Sequence, residues 1–347
     1  MSKQKIIVAV LNWGLGHASR SVPIINNLLA QNFTPILASD GKALLFLQQE
    51  FPELESIQLP SYGIKYGKFL KLSLLFQVPT IYKAVKSEYS VINDYIDNQK
   101  DVVAIISDNR FGCNSQKVTS VYMTHQINVL SGATTLLTSR IHRKIIQKFD
   151  ECWVPDTRDN YLSGKLSSLK NKENKVKYIG FLSRFKKEAL KKTIDYLILL
   201  SGPEPYKTQL EKKLTKEFSG KENVAFVLGT IENKQKKWLL EGITFYNYLL
   251  QKELQIILNS SRIVICRSGY STILDLAVLQ KKAFFIPTNN QSEQEYLAKY
   301  LKVKRIAPFC KEADFRFKKI EEVKNYRGFG LNELNFRIDL HGLFQRK

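Results

Sequence analysis

Cysteine, histidine and methionine are all scarce in this chain of 347 residues, at four, four and two copies. The cysteines, Cys113, Cys152, Cys266 and Cys310, stand far apart and form no C-x-x-C pair. That spacing argues against structural zinc and suits a reducing cytoplasm. No Asp-x-Asp occurs anywhere in the chain. No apolar run approaches the roughly 18 residues of a spanning helix, which excludes a transmembrane protein. The early apolar stretch, residues 6–11, is too short for a secretory signal and lacks a small-residue cleavage site, so a buried first strand is expected there. Acidic side chains are also few, 32 against 53 basic ones, for a net charge of +21. The excess is spread: residues 1–182 hold 22 basic and 14 acidic side chains, residues 183–347 hold 31 and 18. Nucleic acid, anionic lipid, a nucleotide ligand and a merely lysine-rich surface all fit such a charge.

What is present is ordinary globular composition, 44% hydrophobic and 24% charged, enough for roughly two domains. Short apolar runs at 6–11, 35–38, 102–107 and 118–124 predict strands in the first half, separated by amphipathic helical patterns at 19–31, 42–49 and 69–97. Runs at 195–200, 224–228, 263–266 and 283–287 predict strands in the second, with helices at 206–218, 271–279 and 293–300. Strands this apolar, alternating with helices, belong to parallel sheets covered on both faces. The pattern restarts after Leu182. Two doubly wound α/β domains follow, 1–182 and 183–347. A surface loop is expected over 163–175, rich in Ser, Lys and Asn.

Ligands in open parallel sheets bind beyond the carboxyl ends of the strands, so the residues that follow each strand carry the functional argument. The first strand is followed by Asn12-Trp13-Gly14-Leu15-Gly16-His17-Ala18-Ser19-Arg20, a turn leading into a helix whose free N–H groups suit an anion. The dinucleotide pattern G-x-G-x-x-G is absent, because Ser19 stands where its third glycine would be. Asp108-Asn109-Arg110 and His125-Gln126 follow two further strands. His17, Asp108 and His125 are therefore candidates for proton transfer, with Gly14, Gly16, Asn109, Arg110 and Gln126 around them. A capping turn, an Asx turn and a core histidine are the bland readings of the same residues.

In the second half, Ser201-Gly202-Pro203-Glu204-Pro205 ends one strand and presents N–H groups suited to phosphate, although its prolines have none. Arg267-Ser268-Gly269-Tyr270-Ser271 follows another, with a cation and hydroxyls. Asp275, one turn into the next helix, suits ribose hydroxyls or, blandly, the positive end of the helix dipole. The polar stretch Gln291-Ser292-Glu293-Gln294-Glu295 is dense in groups able to bond sugar hydroxyls.

The run Cys266-Arg267-Ser268-Gly269, then Asp275, then Gln294, resembles the carboxyl-terminal signature of the glycosyltransferases related to peptidoglycan N-acetylglucosaminyltransferase (family 28-like). Gly16-His17 and the strand-end His-Gln pair are similar to that family's amino-terminal half. The resemblance implies a GT-B fold, two Rossmann-like domains facing a cleft, the first for the acceptor and the second for a nucleotide-sugar donor. It places Ser201-Gly202 at the diphosphate, Asp275 at the ribose, Gln294 and Glu295 at the sugar, Tyr246 beside the base and His17 near the reacting centre. This chain departs from the family in its Asn12-Trp13-Gly14-Leu15-Gly16 loop, in His125, in Pro203-Glu204-Pro205 and in Glu295.

The expected activity is transfer of a hexosyl group from a nucleoside-diphosphate sugar, UDP-linked, to an acceptor hydroxyl. Inverting transfer needs a base at the acceptor, and Arg267 with helix N-termini could stabilise the departing diphosphate. Without Asp-x-Asp, a metal-independent reaction is expected, with no cofactor beyond the nucleotide sugar. A nucleotide-sugar epimerase of the same fold and a basic, non-enzymatic nucleic-acid-binding protein are the alternatives. No nucleic-acid-binding motif is present, and nucleic acid is not an expected partner. Residues 62–86 contain five lysines and no acid among Tyr62, Tyr66, Phe69, Leu70, Phe76 and Tyr82. Such a segment suits an anionic membrane, with Pro79 splitting it into two short amphipathic pieces, or else forms first-domain core. Since the related family uses a lipid-linked acceptor, the expected location is cytoplasmic, peripheral on the inner face of the membrane.

Overall fold

The computed structural model describes residues 3–63, 70–130, 135–159, 162–169 and 173–330, with the side chains of residues 70–76 outside that description. Two compact units divide the chain, one running to Leu182 and the other from Ser183, with Gly14–Gly16 grouped with the second.

The first unit opens with β1 (Lys5–Val10), α1 (Leu15–Ala30), β2 (Thr34–Ser39), α2 (Gly41–Glu50) and β3 (Ser56–Gln58). It continues with α3 (Leu70–Asn98), β4 (Val102–Asp108), β5 (Thr119–Met123), α4 (Thr135–Ile146), β6 (Glu151–Val154) and β7 (Val176–Tyr178). The seven strands are all parallel, in the order β3-β2-β1-β4-β5-β6-β7. Chain order reverses between β1 and β4, where the two loops above the strand ends part to opposite faces and leave room for a ligand. Register levels the ends there, Val10 lying opposite Asp108. Ile7, Ala9, Ile36 and Ile105 pack beneath Ile92 and Ile96 of α3, which explains why β1 and β4 read as continuous apolar runs.

The second unit comprises β8 (Ile194–Leu199), α5 (Tyr206–Phe218), β9 (Val224–Val227), β10 (Lys237–Leu240), β11 (Ile243–Tyr246) and α6 (Gln251–Ser260). Then follow β12 (Ser261–Cys266), α7 (Tyr270–Val278), β13 (Lys282–Phe285) and α8 (Ser292–Val303). Strand order is β10-β11-β9-β8-β12-β13, with only β10 antiparallel. Order reverses between β8 and β12, so the N-termini of α5 and α7 open on the same sheet edge.

Several expectations need correction. Pro79 does not split the segment it occupies: α3 is continuous across it. Proline removes one backbone donor, a local defect, while Ala84, Glu88, Ile92 and Ile96, spaced by four, anchor the rest of the helix on the sheet. Tyr62 is not surface either. It is buried, and its hydroxyl donates to Glu88 at 2.8 Å. The expected surface loop over 163–175 is pinned at its described start: Ser163 and Ser167 are buried, and Ser163 N–H donates to Asp156 Oδ2 at 2.8 Å. Lys65 and Lys68 lie outside the described residues.

Candidate functional site

In the first unit the switch point gathers His17, Arg20, Asp108 and His125. Gly14 takes φ +77, a left-handed turn that glycine adopts without a Cβ clash, and the chain enters α1. His17 and Arg20 are three residues apart, hence on one face of that helix. Asp108, the last residue of β4, receives both. Arg20 Nε donates to Asp108 Oδ2 at 2.7 Å and Arg20 Nη2 donates to Oδ1. His17 Nδ1 lies 2.9 Å from Asp108 Oδ1 and equally far from Arg20 Nη2. A charge-assisted bond to a carboxylate is the stronger choice. The network therefore assigns the proton to Nδ1, leaving Nε2 with its lone pair. Burial lowers the His17 pKa from 6.5; Asp108 pulls it up and Arg20 pushes it down, for a net decrease.

Asp108 is almost wholly buried. Burial alone would raise its carboxyl, but Arg20 and His17 outweigh that and hold it well below the ordinary carboxylate range. A carboxylate so paired is a poor proton acceptor and a good orienting group. His125 is buried as well, and its Nδ1 lies 3.0 Å from Arg20 Nη1. Guanidinium only donates, so His125 Nδ1 accepts from it, and the Gln126 side-chain amide lies beside the other edge of the ring.

Behind this cluster runs a relay that strand-end reasoning missed. His142 of α4 lies 2.9 Å through Nε2 from the Tyr122 hydroxyl, which donates to Asn109 Oδ1 at 2.8 Å. Asn109 Nδ2 reaches Asp108 Oδ1 at 3.4 Å, from a backbone at φ +56. Burial pushes His142 down to about 4, so it is neutral and donates to Tyr122. His142 sits mid-helix, and nothing in its local sequence marks it.

Arg110 corrects an expectation. Rather than presenting its charge to an acceptor, it is fully buried, ion-paired with Asp40 and Glu88 and donating to the carbonyls of Val10 and Pro60. It ties the carboxyl ends of β1, β2 and β3 to α3.

In the second unit, Ser201 and Gly202 follow β8, with Gly202 at φ +110 and no atom near where a Cβ would stand. Gly269 precedes α7 with the same open space. Both leave backbone accessible at a helix N-terminal edge. Arg267 is 1% exposed, with both terminal guanidinium nitrogens hydrogen-bonded and, among the described residues, its buried Nε without a partner. It donates to the carbonyls of Ile286, Pro287 and Tyr206 and to Glu312 Oε2 at 2.8 Å. Arg267 therefore ties three loops together rather than standing free for a diphosphate. Ser268 Oγ donates to the Gln294 carbonyl at 2.8 Å, and Ser271 is half-buried in the first turn of α7.

Asp275 accepts from Ser183 Oγ at 2.7 Å. Burial pushes its carboxyl up to about 6, against the opposite pull of Arg184 and Ser183. Gln291 caps α8 by accepting from the Gln294 N–H. Gln294 Oε1 accepts from Thr288 N–H at 2.9 Å, and Glu295 Oε1 from Asn290 N–H at 3.1 Å, so the polar loop is preorganised by its own side chains. Glu293 is half-buried beside them, and Tyr246 ends β11 with the Lys237 ammonium 5.7 Å from its ring centroid. Among the described residues no group of three or more His, Cys, Asp or Glu side chains is arranged to hold a metal ion.

Residues 181–325 match the family described as Glycosyltransferase family 28 C-terminal domain. The chain is 22% identical over 281 residues to the UDP-N-acetylglucosamine--N-acetylmuramyl-(pentapeptide) pyrophosphoryl-undecaprenol N-acetylglucosamine transferase of Haemophilus ducreyi, a match covering 76% of this chain and 75% of that one. Among solved structures it is similar to MurG of Acinetobacter baumannii, at 12% identity and TM-score 0.55 over 94% of this chain and 92% of that one. It is also similar to the spinosyn rhamnosyltransferase SpnG complexed with thymidine diphosphate, at 11% identity and TM-score 0.62 over 94% and 93%.

Proposed function

We propose that this chain, a glycosyltransferase of the two-domain GT-B fold with a family 28 carboxyl-terminal domain, moves a hexosyl group from a UDP-linked sugar to an acceptor hydroxyl with inversion and without a metal. The observation that carries the reading is the His17–Asp108 pair at the switch point of the first sheet. His17 Nε2 takes the acceptor proton as the acceptor oxygen bonds to the anomeric carbon. The bond from that carbon to the phosphate oxygen breaks, and its electron pair leaves with the nucleoside diphosphate. Asp108 holds the His17 ring in the required tautomer and stabilises the imidazolium that forms, while Arg20 keeps Asp108 ionised. Asp108 and His125 are thereby supporting groups, and His17 is the base.

The second unit takes the donor. Ser201-Gly202 and the N-termini of α5 and α7 receive the diphosphate through backbone N–H groups. Asp275 receives the ribose, Gln294 and Glu295 the sugar, and Tyr246 borders the base. Metal independence is supported by the lack of Asp-x-Asp in the sequence.

The acceptor is lipid-linked in this reading, by analogy with the pyrophosphoryl-undecaprenol named for the Haemophilus ducreyi relative. Two helices of the first unit suit a membrane surface. Val78, Tyr82, Lys83 and Lys86 are exposed on α3; Leu136, Leu137, Arg140, Ile141 and Lys144 are exposed on α4. Phe111 packs against elements beneath both helices, which sets them on one side of the sheet. Among the described residues no helix is long and apolar enough to cross a membrane. The deciding experiment incubates the protein with nucleoside-diphosphate sugars and lipid-linked or free glycan acceptors and follows nucleoside diphosphate release. Release that needs an acceptor supports transfer. Epimerised sugar without acceptor, or flat thermal-shift curves across all nucleotides, overturns it.

A further inference from the structure

Among the described residues, the second sheet ends on a strand with no neighbouring strand on its outer side. β10 lies at its edge, and all four of its residues are exposed, including Trp238 at 38%, Leu239 at 71% and Leu240 at 48%. An apolar edge strand with free N–H and C=O groups is a template for pairing, and proteins ordinarily blunt such edges. Here the apolar residues are kept.

The hydrogen-bonding direction of the edge follows from the hairpin. β10 and β11 join through Glu241-Gly242, both left-handed at φ +49 and +78, a two-residue turn whose flanking pair, Leu240 and Ile243, shares hydrogen bonds. Four residues back, the Asn247 N–H donates to the Lys236 carbonyl at 3.2 Å, in the same phase. Alternation then turns the N–H and C=O groups of Lys237 and Leu239 away from β11 and out to the open edge.

Those groups, and the side chains beside them, are complementary to themselves. An antiparallel partner strand must match outward groups with outward groups. With Leu239 opposite Leu239 of an identical strand, Trp238 falls opposite Leu240, and Lys237 faces the turn residue Glu241, whose Oε2 also accepts from Ser219 Oγ at 3.0 Å, twice over by symmetry. One register therefore satisfies the backbone, buries the apolar side chains and pairs opposite charges. We propose that β10 is a homodimerisation strand, and that two copies of this chain join their six-stranded sheets through antiparallel β10–β10 pairing centred on Leu239. The contact is isologous, as a closed two-fold dimer requires. A strand of four residues makes a small interface, so the dimer is a weak one that forms with rising concentration.

Sedimentation velocity and light scattering on the full chain test this. The expected mass rises with concentration from 40.0 kDa toward that of a dimer. Lys237→Glu sets like charges opposite each other and weakens association by about tenfold, and adding Glu241→Lys restores it. Leu239→Cys forms an intermolecular disulfide under mild oxidation, because paired Cα atoms of that kind lie about 5.5 Å apart. Ile256→Cys, exposed on α6, does not, and the four native cysteines are buried. All these positions are exposed, so folding is retained, and circular dichroism verifies it. A monomer at every concentration overturns the proposal. So does a dimer that Lys237→Glu leaves intact, or one that Leu239→Cys fails to trap. Monomeric protein that binds anionic vesicles through this strand, and loses them on Leu239→Lys, overturns it in favour of a lipid partner.

Discussion

Arg20 grips Asp108 through both carboxylate oxygens, Nε donating to Oδ2 at 2.7 Å and Nη2 donating to Oδ1. The pair is almost wholly buried, and it decides the chemistry of everything near it. With its charge fixed by Arg20, Asp108 remains an acceptor of hydrogen bonds at any physiological pH. His17 can therefore lose and regain a proton without its orienting partner doing the same.

Arg20→Met should destabilise the protein by about 3–5 kcal/mol, because it leaves the Asp108 charge buried and unpaired. The double change with Asp108→Leu should recover part of that loss. Denaturant midpoints of the two variants measure it; equal loss in both would show that packing, not charge, dominates at this position.

His17→Ala should lower the transfer rate by roughly 10²–10⁴-fold with little change in donor affinity. Because the His17 pKa lies below 6.5, the base form prevails at neutral pH. The wild-type rate should therefore rise with pH through a midpoint below 6.5 and then level. A profile still climbing above pH 7.5 would remove His17 as the base.

Tyr122→Phe deletes the hydroxyl that joins His142 to Asn109 and leaves one buried and one half-buried polar group without that partner. A stability loss of about 1–3 kcal/mol is expected. The rate should fall several-fold at unchanged donor KM, since Asn109 no longer steadies Asp108. A stability loss with normal kcat would confine the relay to folding.

Asp275→Ala should weaken nucleoside diphosphate binding by about 1–3 kcal/mol if a hydrogen bond to ribose is lost. Its raised carboxyl pKa also has a stability signature. A group at about 6 in the fold and 3.8 unfolded favours the folded state as pH falls through 6, and costs stability above it. Asp275→Asn should therefore be more stable than wild type at pH 7, with the gap closing toward pH 4. A gap independent of pH would contradict a desolvated, ionising carboxyl at this half-buried position.

Leu137→Asp together with Ile141→Asp on α4 should reduce recovery with anionic vesicles while leaving transfer to a soluble acceptor unchanged. Each cationic residue near such a surface contributes about 1 kcal/mol, so high salt should weaken the wild-type interaction. Salt-insensitive absence from the vesicle fraction would point to a soluble acceptor.

The sequence by itself determined the parallel α/β character of both halves, because strands buried on two faces must have apolar centres, as Ile6–Val10 of β1, Val102–Ile106 of β4 and Ile263–Cys266 of β12 do. It also placed His17, Asp108 and Asp275 correctly at strand ends or in the helix turn that follows, since those positions depend only on local chain order. Short strands such as β3, β7 and β10 left no such trace: three or four residues carry too little pattern. Tertiary structure alone decided what the charged residues do. Arg20 reads as one more residue of an amphipathic helix until β4 brings Asp108 beside it, 88 positions later in the chain. Arg110 and Arg267 read as free cations until packing surrounds them with Glu88, Asp40 and Glu312. Charge is a property of the residue, but the partner that spends it is set by contacts between segments far apart in sequence, and no local pattern encodes those.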